Sequence, residues 1–238
     1  QMPPKEGGKR RQYIPAKLAD NPSMAESDPD YSSTLEGLGS PELVRAMRDG
    51  DWDIVAGGMF DDLWSRPVHV LAPFAIPSSW RVDRGFDWGS SKPFSVIWFA
   101  ESDGTAATLA DGSKRHFPRG SIFAIAEWYG WNGKPNEGCK MLAVDIAREI
   151  VKREKAMPYQ VRPGPADTSI FDTQNGNCIA DDMAKERVRW NKADKSPGSR
   201  KNGWEMIRKL LKQASGNELP GFYVFNTCTH IIRTLPVL

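Results

Sequence analysis

The chain has 238 residues, 39% hydrophobic and 26% charged, with a formal net charge of +2, which suits a globular protein with one large domain or a domain and an appendage. No apolar run approaches the roughly 18 residues that a membrane span needs, and the basic N-terminal stretch QMPPKEGGKRRQ is followed by no apolar segment. It does not read as a secretory signal, and the protein is expected to be intracellular. So small a net charge neither demands nor forbids a nucleic-acid partner; the placement of the charges decides. Cys139, Cys178 and Cys228 lie 39 and 50 residues apart, a spacing that supports neither a zinc site nor a disulfide framework. A GxxxxGK[ST] phosphate loop is absent from the sequence, so no ATP site of that kind is expected.

Residues 1 to about 35 are rich in Pro, Asp, Ser and Lys, with the extended-looking QYIPAKLADNP and the turn-prone SDPDY, and are expected to form an irregular arm. Ser40-Pro41-Glu42 then opens a helix with Ser at the N-cap and Pro at the first helical position. Leu43, Val44 and Met47 give that helix an apolar face, and Gly50 ends it. The segments DWDIVAGGMFDDLW and RPVHVLAPFAIP are expected to pack against the main domain. Residues 1–79 are accordingly assigned to an arm and linker, and residues 80–238 to the main domain.

From Trp80 the sequence WRVDRGFDWGSSKPFSVIWFA reads as two apolar strands, Val82 to Trp88 and Phe94 to Ala100, joined by a tight Gly-Ser-Ser-Lys-Pro turn. Two Asp-Gly pairs in the following polar stretch are hairpin-turn signals. Ile122 to Tyr129 is a third strand and completes a meander. Leu142, Ile146 and Ile150, with Ala143, Ala147 and Val151, then line one face of a helix within Cys139 to Lys155. Tyr159 to Asp167 is a short strand whose prolines mark a weakly paired end. Helices over about 179–186 and 203–214, a strand from Gly221 to Asn226 and a helix start at Thr229 follow. The order β-β-β-α-β-α-α-β-α predicts a mixed α/β sheet with helices on its faces.

Asp87 sits between Phe86 and Trp88, where an unpaired carboxylate would cost several kcal/mol to bury. A divalent cation held on a rigid strand end would compensate it. Three strands up and down, a helix, then a fourth strand ending in an acid is the chain order of the ribonuclease H-like fold, so Asp87 and Asp167 are expected to converge. Two such carboxylates repel unless a cation bridges them. Two Mg²⁺ or Mn²⁺ ions about 3.5–4 Å apart can activate water and stabilise the leaving oxygen of a phosphodiester. Asp172 is a candidate third ligand, or else the cap of the following turn. Asp167 has its own local alternative, an Asx-turn before Thr168 and Ser169. Lys192, Lys195, Arg200 and Lys201 flank the Ser-Pro-Gly-Ser loop and are candidates for non-specific phosphate contacts, the alternative being a solvated loop. Glu127 reads as a partner for a basic residue and a minor site candidate. Of the nine tryptophans, Trp98, Trp128 and Trp204 fall on apolar-periodic segments and belong to the core.

The segments YIPAKLADNP, DPDY, GDWD, FDWGSSKPF, EWYGWNGKPNEG, PADTSIFD, WNKAD and FNTCTHIIRTLP resemble, in that order, the C-terminal half of the large terminase subunit of tailed bacteriophages. The series covers nearly the whole chain. The resemblance implies a metal-dependent endonuclease that cuts concatemeric viral double-stranded DNA during headful packaging, with Asp87 as the acid of the FDWG segment and Asp167 as that of the ADxSxxD segment. It also implies the portal protein and the small terminase subunit as partners, and the bacterial host cytoplasm, not the mature virion, as the location. Two departures stand out. The family's ATPase half is missing, and Leu238 falls short of the Asp-His-Ala-type helix that carries the family's third acid, so the nuclease domain is expected to be C-terminally incomplete. The alternatives are another ribonuclease H-like nuclease or resolvase, and a non-catalytic docking module for the packaging motor.

Overall fold

Burial alternates residue by residue within 81–87 and 94–101, and the two segments form a long hairpin. Strand β2 (Arg81–Asp87) pairs antiparallel with β3 (Phe94–Glu101), placing Asp87 opposite Ser95. β6 (Ile122–Gly130) pairs antiparallel with the other edge of β3, and its register shifts between Trp98 and Phe99, a bulge that adds twist to the meander. The structure, a computed structural model, describes residues 17–28, 30–36, 44, 48, 58–134, 136–173 and 176–238. They fall into two units, the first ending at Asp61 and the second running from Asp62 to Pro236.

In the first unit the arm is not irregular throughout. Helices α1 (Pro22–Ser27) and α2 (Tyr31–Glu36) interrupt it. Pro22 opens α1 with its φ already helical, and six residues are too few to display the apolar period by which a helix is recognised. The helix expected over 40–50 lies largely outside the described residues.

The second unit begins with α3 (Arg66–His69) and β1 (Val70–Leu71), so part of the segment expected to pack on the main domain contributes a strand to its sheet. β4 (Ala107–Thr108) and β5 (Lys114–Arg115) form a separate small hairpin. Its turn holds Gly112 at φ +82°, which explains one Asp-Gly signal. The strand expected over 159–167 is broken in two, β7 (Val161–Arg162) and β8 (Pro165–Ala166), both parallel to β2. Gly164 lies at the break, where a Cβ would collide with the Arg84 carbonyl oxygen. β9 (Asn191–Lys192), too short to be read from sequence, pairs parallel with β8. β10 (Phe222–Phe225) pairs parallel with β6 and β1. The sheet order β1-β10-β6-β3-β2-β8-β9, with β7 beside β2, is the ribonuclease H-like arrangement of three antiparallel strands extended by parallel ones.

Successive residues of a strand face opposite sides, and the two sides of this sheet serve different ends. Val82, Phe86, Val96, Trp98 and Ala100 are buried on one side, with Arg84 among them at 3% exposure. Helix α4 (Ala143–Lys155) brings Glu154 to this buried cation. Arg84 Nη1 donates to both Glu154 oxygens at 3.0 and 3.2 Å, Arg84 Nη2 donates to the Arg189 carbonyl at 3.0 Å, and Trp98 Nε1 donates to Glu154 at 2.9 Å. The guanidinium also lies 4.5 Å from the centroid of Trp190, whose ring stacks on Phe86. Helices α5 (Ile179–Lys185), α6 (Ser199–Ala214) and α7 (Thr229–Thr234) complete the unit, α6 resting on β10 through the Tyr223 hydroxyl and the Ala214 carbonyl.

Removing Glu154 leaves Arg84 Nη1 and the Trp98 indole N–H without their acceptor and the buried guanidinium without its counter-charge. Glu154→Ala is expected to lower the unfolding free energy by about 3–5 kcal/mol in guanidinium titration. Glu101→Ala, which breaks an ion pair to the half-exposed Arg81, should cost no more than about 1 kcal/mol. Equal losses would contradict the role given to Arg84.

Candidate active site

β2 and β8 run parallel with Phe86 opposite Ala166, and the Asp167 N–H donates to the Phe86 carbonyl at 3.0 Å. That bond sets the residues following Phe86 and Ala166 side by side at the same end of two neighbouring strands, about 4.8 Å apart in the hydrogen-bonding direction. Asp87 and Asp167 are those residues. Asp167 caps a 3₁₀ turn over Thr168–Phe171, its Oδ1 accepting the Ser169 N–H at 2.8 Å. The local turn and the convergence on Asp87 therefore coexist. Its Oδ2 accepts Lys195 Nζ at 2.7 Å.

The two carboxylates are pushed apart electrically. The Lys195 ammonium, with the Ser169 hydroxyl and N–H behind it, holds Asp167 down at about 2. Partial desolvation at the strand end, and after it the charge of Asp167, raise Asp87 above the usual carboxylate range, while Lys195 pulls the other way. The Asp87 side chain still reaches open solvent, and among the described residues nothing donates a hydrogen bond to it. One acid thus has its charge balanced by a neighbouring ammonium, and ionisation of the other carries a cost that a cation would relieve.

Lys195 reaches this position because the chain turns sharply after β9. The Ala193 N–H donates to the Ala166 carbonyl at 3.0 Å, and Asp194 Oδ1 accepts the Ser196 N–H at 2.8 Å. The lysine expected to meet phosphates is therefore seated on the second acid. Lys192 lies 5.4 Å from the centroid of Phe171, and Arg200 and Lys201 are exposed in the first turn of α6. Asp172 stands at the far end of the 3₁₀ turn, where its N–H donates to the Ser169 carbonyl at 3.2 Å. Among the described residues no group of three or more His, Cys, Asp or Glu side chains is arranged to hold a metal ion.

Glu127 does not pair with a basic residue. Its carboxylate accepts the N–H groups of His230 at 2.6 Å and Ile231 at 2.9 Å, taking two of the orphan donors at the start of α7. A strand glutamate followed a hundred residues later by a helix with Cys228 at its N-cap is a weak signal, since Cys is a poor cap and some other acceptor must serve.

Because folding lowers the Asp167 pKa, the stabilisation this acid provides is complete above its unfolded value of about 3.9 and is lost as pH falls through about 2. Lys195→Met is expected to raise the Asp167 carboxyl, followed by ¹³C carboxyl titration, and to move this acid loss to higher pH. The Asp87 carboxyl should rise too, since its opposing cation is gone. An unchanged Asp167 titration would show that Lys195 does not hold it.

Comparison with known proteins bears on the fold. No protein-family model matches the chain, and no curated protein matches it. Among solved structures it is similar to the nuclease domain of the P22 large terminase, with a TM-score of 0.51 and 17% identity over 76% of this chain and 79% of that one. It is also similar to the large terminase of the thermophilic bacteriophage D6E in complex with ADP, with a TM-score of 0.53 and 13% identity over 92% of this chain and 46% of that one. A D6E complex with ATP-gamma-S gives a TM-score of 0.52 at 13% identity. The chain thus spans about half the length of the D6E protein. At such identities the likeness is one of backbone geometry, and it shows that this chain has the ribonuclease H-like fold of the phage large-terminase nuclease domain.

Proposed function

We propose that this chain is the nuclease part of a phage DNA-packaging terminase, a divalent-metal-dependent endonuclease acting on concatemeric viral double-stranded DNA. The observation that carries the reading is the backbone bond from Asp167 to Phe86, which holds two acids together at adjacent strand ends in a terminase-like fold. The donor set fits an oxygen-ligated cation: Asp87 is open to solvent and accepts no hydrogen bond among the described residues, and Mg²⁺ is commonly held by only one or two carboxylates, with waters and substrate phosphates filling the rest. Asp87 and Asp167 would hold Mg²⁺ or Mn²⁺, one ion or two. When bound, such a cation supplies activated water and charge stabilisation for phosphodiester hydrolysis.

The chain's own residues do the positioning. Asp167, fixed by Ser169 and Lys195, sets the orientation of the acid pair. Lys195 balances the charge of Asp167 and lies where a phosphate bound at the pair would meet its ammonium. Lys192, Arg200 and Lys201 contribute exposed positive charge that binds backbone phosphates without regard to sequence. In this assignment the arm and linker toward an ATPase domain end near Asp61, short of residue 79, since α3 and β1 already belong to the nuclease that runs on to residue 238; the portal protein and small terminase subunit are partners in the host cytoplasm.

The test is nicking of supercoiled plasmid in Mn²⁺, Mg²⁺ and EDTA. Metal-dependent cutting is expected, falling more than about 100-fold in Asp87→Asn and in Asp167→Asn, with thermal melts confirming that both variants fold. Activity confined to RNA in a hybrid, or to four-way junctions, would move the chain to another nuclease of this fold. Portal binding without cutting by any form would make it a docking module. Independently, each of Lys192→Ala, Arg200→Ala and Lys201→Ala should reduce the slope of log K against log salt for duplex binding by about 1. An unchanged slope would remove that residue from the DNA surface.

A further inference from the structure

Directly opposed side chains on neighbouring strands share a face of the sheet. Asp87 is opposite Ser95, and Ser95 is opposite Tyr129. Two strand spacings place Tyr129 roughly 10 Å from Asp87, on the same face and at the same end of the sheet. Two residues back on that face, Glu127 fixes the first turn of α7 and so brings the His230 ring to 4.7 Å from the Tyr129 ring. Trp131, immediately beyond β6, completes the group at 6.3 Å from Tyr129 and 5.7 Å from His230.

Trp131 is the most exposed Trp, Tyr or Phe among the described residues. Trp98 and Trp80 are 1% and 4% exposed in the core, whereas Trp131 is 40% exposed. Its surroundings are basic. Lys92 in the β2–β3 turn and Lys134 and Lys140 in the loop after β6 are exposed, and among the described residues no carboxylate pairs with any of them. Glu137, the acid of that loop, accepts a hydrogen bond from Asn132 at 3.0 Å. The turn and the loop form one continuous rim, because the Gly138 N–H donates to the Ser91 carbonyl at 2.9 Å and a Cβ on Gly138 would collide with the carbonyls of Ser90 and Lys92.

We propose that Tyr129, Trp131 and His230 form a stacking platform for an unpaired DNA nucleotide beside the phosphodiester held at Asp87 and Asp167, with Lys92, Lys134 and Lys140 taking the neighbouring phosphates. Aromatic faces accept any base, which suits cutting without sequence preference, and the lysines supply charge where a strand leaving the acid pair would pass. Rings packed edge and face against one another, with Glu127 anchoring the helix beneath, make a rigid surface that a base can cover with little loss of side-chain freedom. The location of the platform relative to a cut rests on the nuclease reading; its ability to bind a strand does not.

The experiment measures binding of a fluorescein-labelled oligothymidylate and of a blunt duplex of equal length by anisotropy in EDTA. Trp131→Ala is expected to weaken the single strand about tenfold and the duplex less than twofold, and Trp131→Phe should restore most of the loss. Lys134→Ala and Lys140→Ala should weaken both. No loss in Trp131→Ala, an equal loss on both forms, or a Phe variant as weak as the Ala variant would overturn the platform. Trp131-dependent single-strand binding by a chain that cuts no plasmid would uphold the platform and overturn the nuclease reading, while normal cutting with Trp131-independent binding would overturn the platform alone.

Discussion

A positive charge in the middle of a hydrophobic sheet is the constraint from which much of this structure follows. Arg84 is central in β2 and almost wholly buried, and both of its terminal nitrogens find acceptors. Glu154 comes from the helix above, the Arg189 carbonyl from the chain leading into β9, and the Trp190 ring covers its face. Each acceptor docks a different piece of backbone onto β2. The same strand carries Asp87 at its end, and the chain that Arg84 draws in from 189–190 continues to Lys195. A buried ion pair is weak as a source of stability when compared with hydrophobic residues of the same shape. Here it serves to fix which segments lie beside which.

The acid pair shows a comparable division of labour between neighbours of the same chemical type. Asp167 is tied down by a turn and an ammonium, and its charge is already balanced. Asp87 lacks both supports and carries the cost of partial desolvation and, after it, of the neighbouring Asp167 charge. The site is asymmetric before it holds anything.

Much of this was legible in residues 80–130. Two apolar runs joined by the Gly-Ser-Ser-Lys-Pro turn point to the hairpin, and the apolar run IFAIAEWY points to its third strand. The helix at 143–155 was visible in its period, and the placement of Asp87 and Asp167 followed from chain order. What was hidden depended on long-range partners. β8 and β9 are two residues each, too short for any period to declare them; β8 forms on the edge that β2 offers, and β9 forms on β8. The attachment of Lys195 to Asp167 joins residues 28 apart through a turn whose geometry depends on β9 having formed. Glu127 looked like a strand acid seeking a base because nothing nearby reveals that a helix N-terminus 103 residues on will come to it.

Gly164 carries a consequence for how this fold can vary. The backbone of 163–165 passes so close to β2 that even a methyl group would meet the Arg84 carbonyl. Asp167 is only three residues further along, directly after a strand of two residues that cannot absorb a displacement. The position of the second acid is therefore decided by the smallest side chain in the neighbourhood, and drift at 164 would be seen first as a misaligned pair of carboxylates, with the surrounding core still intact. Most apolar residues of such a core can be exchanged for others of similar volume, yet position 164, which bears no functional group, has almost no latitude.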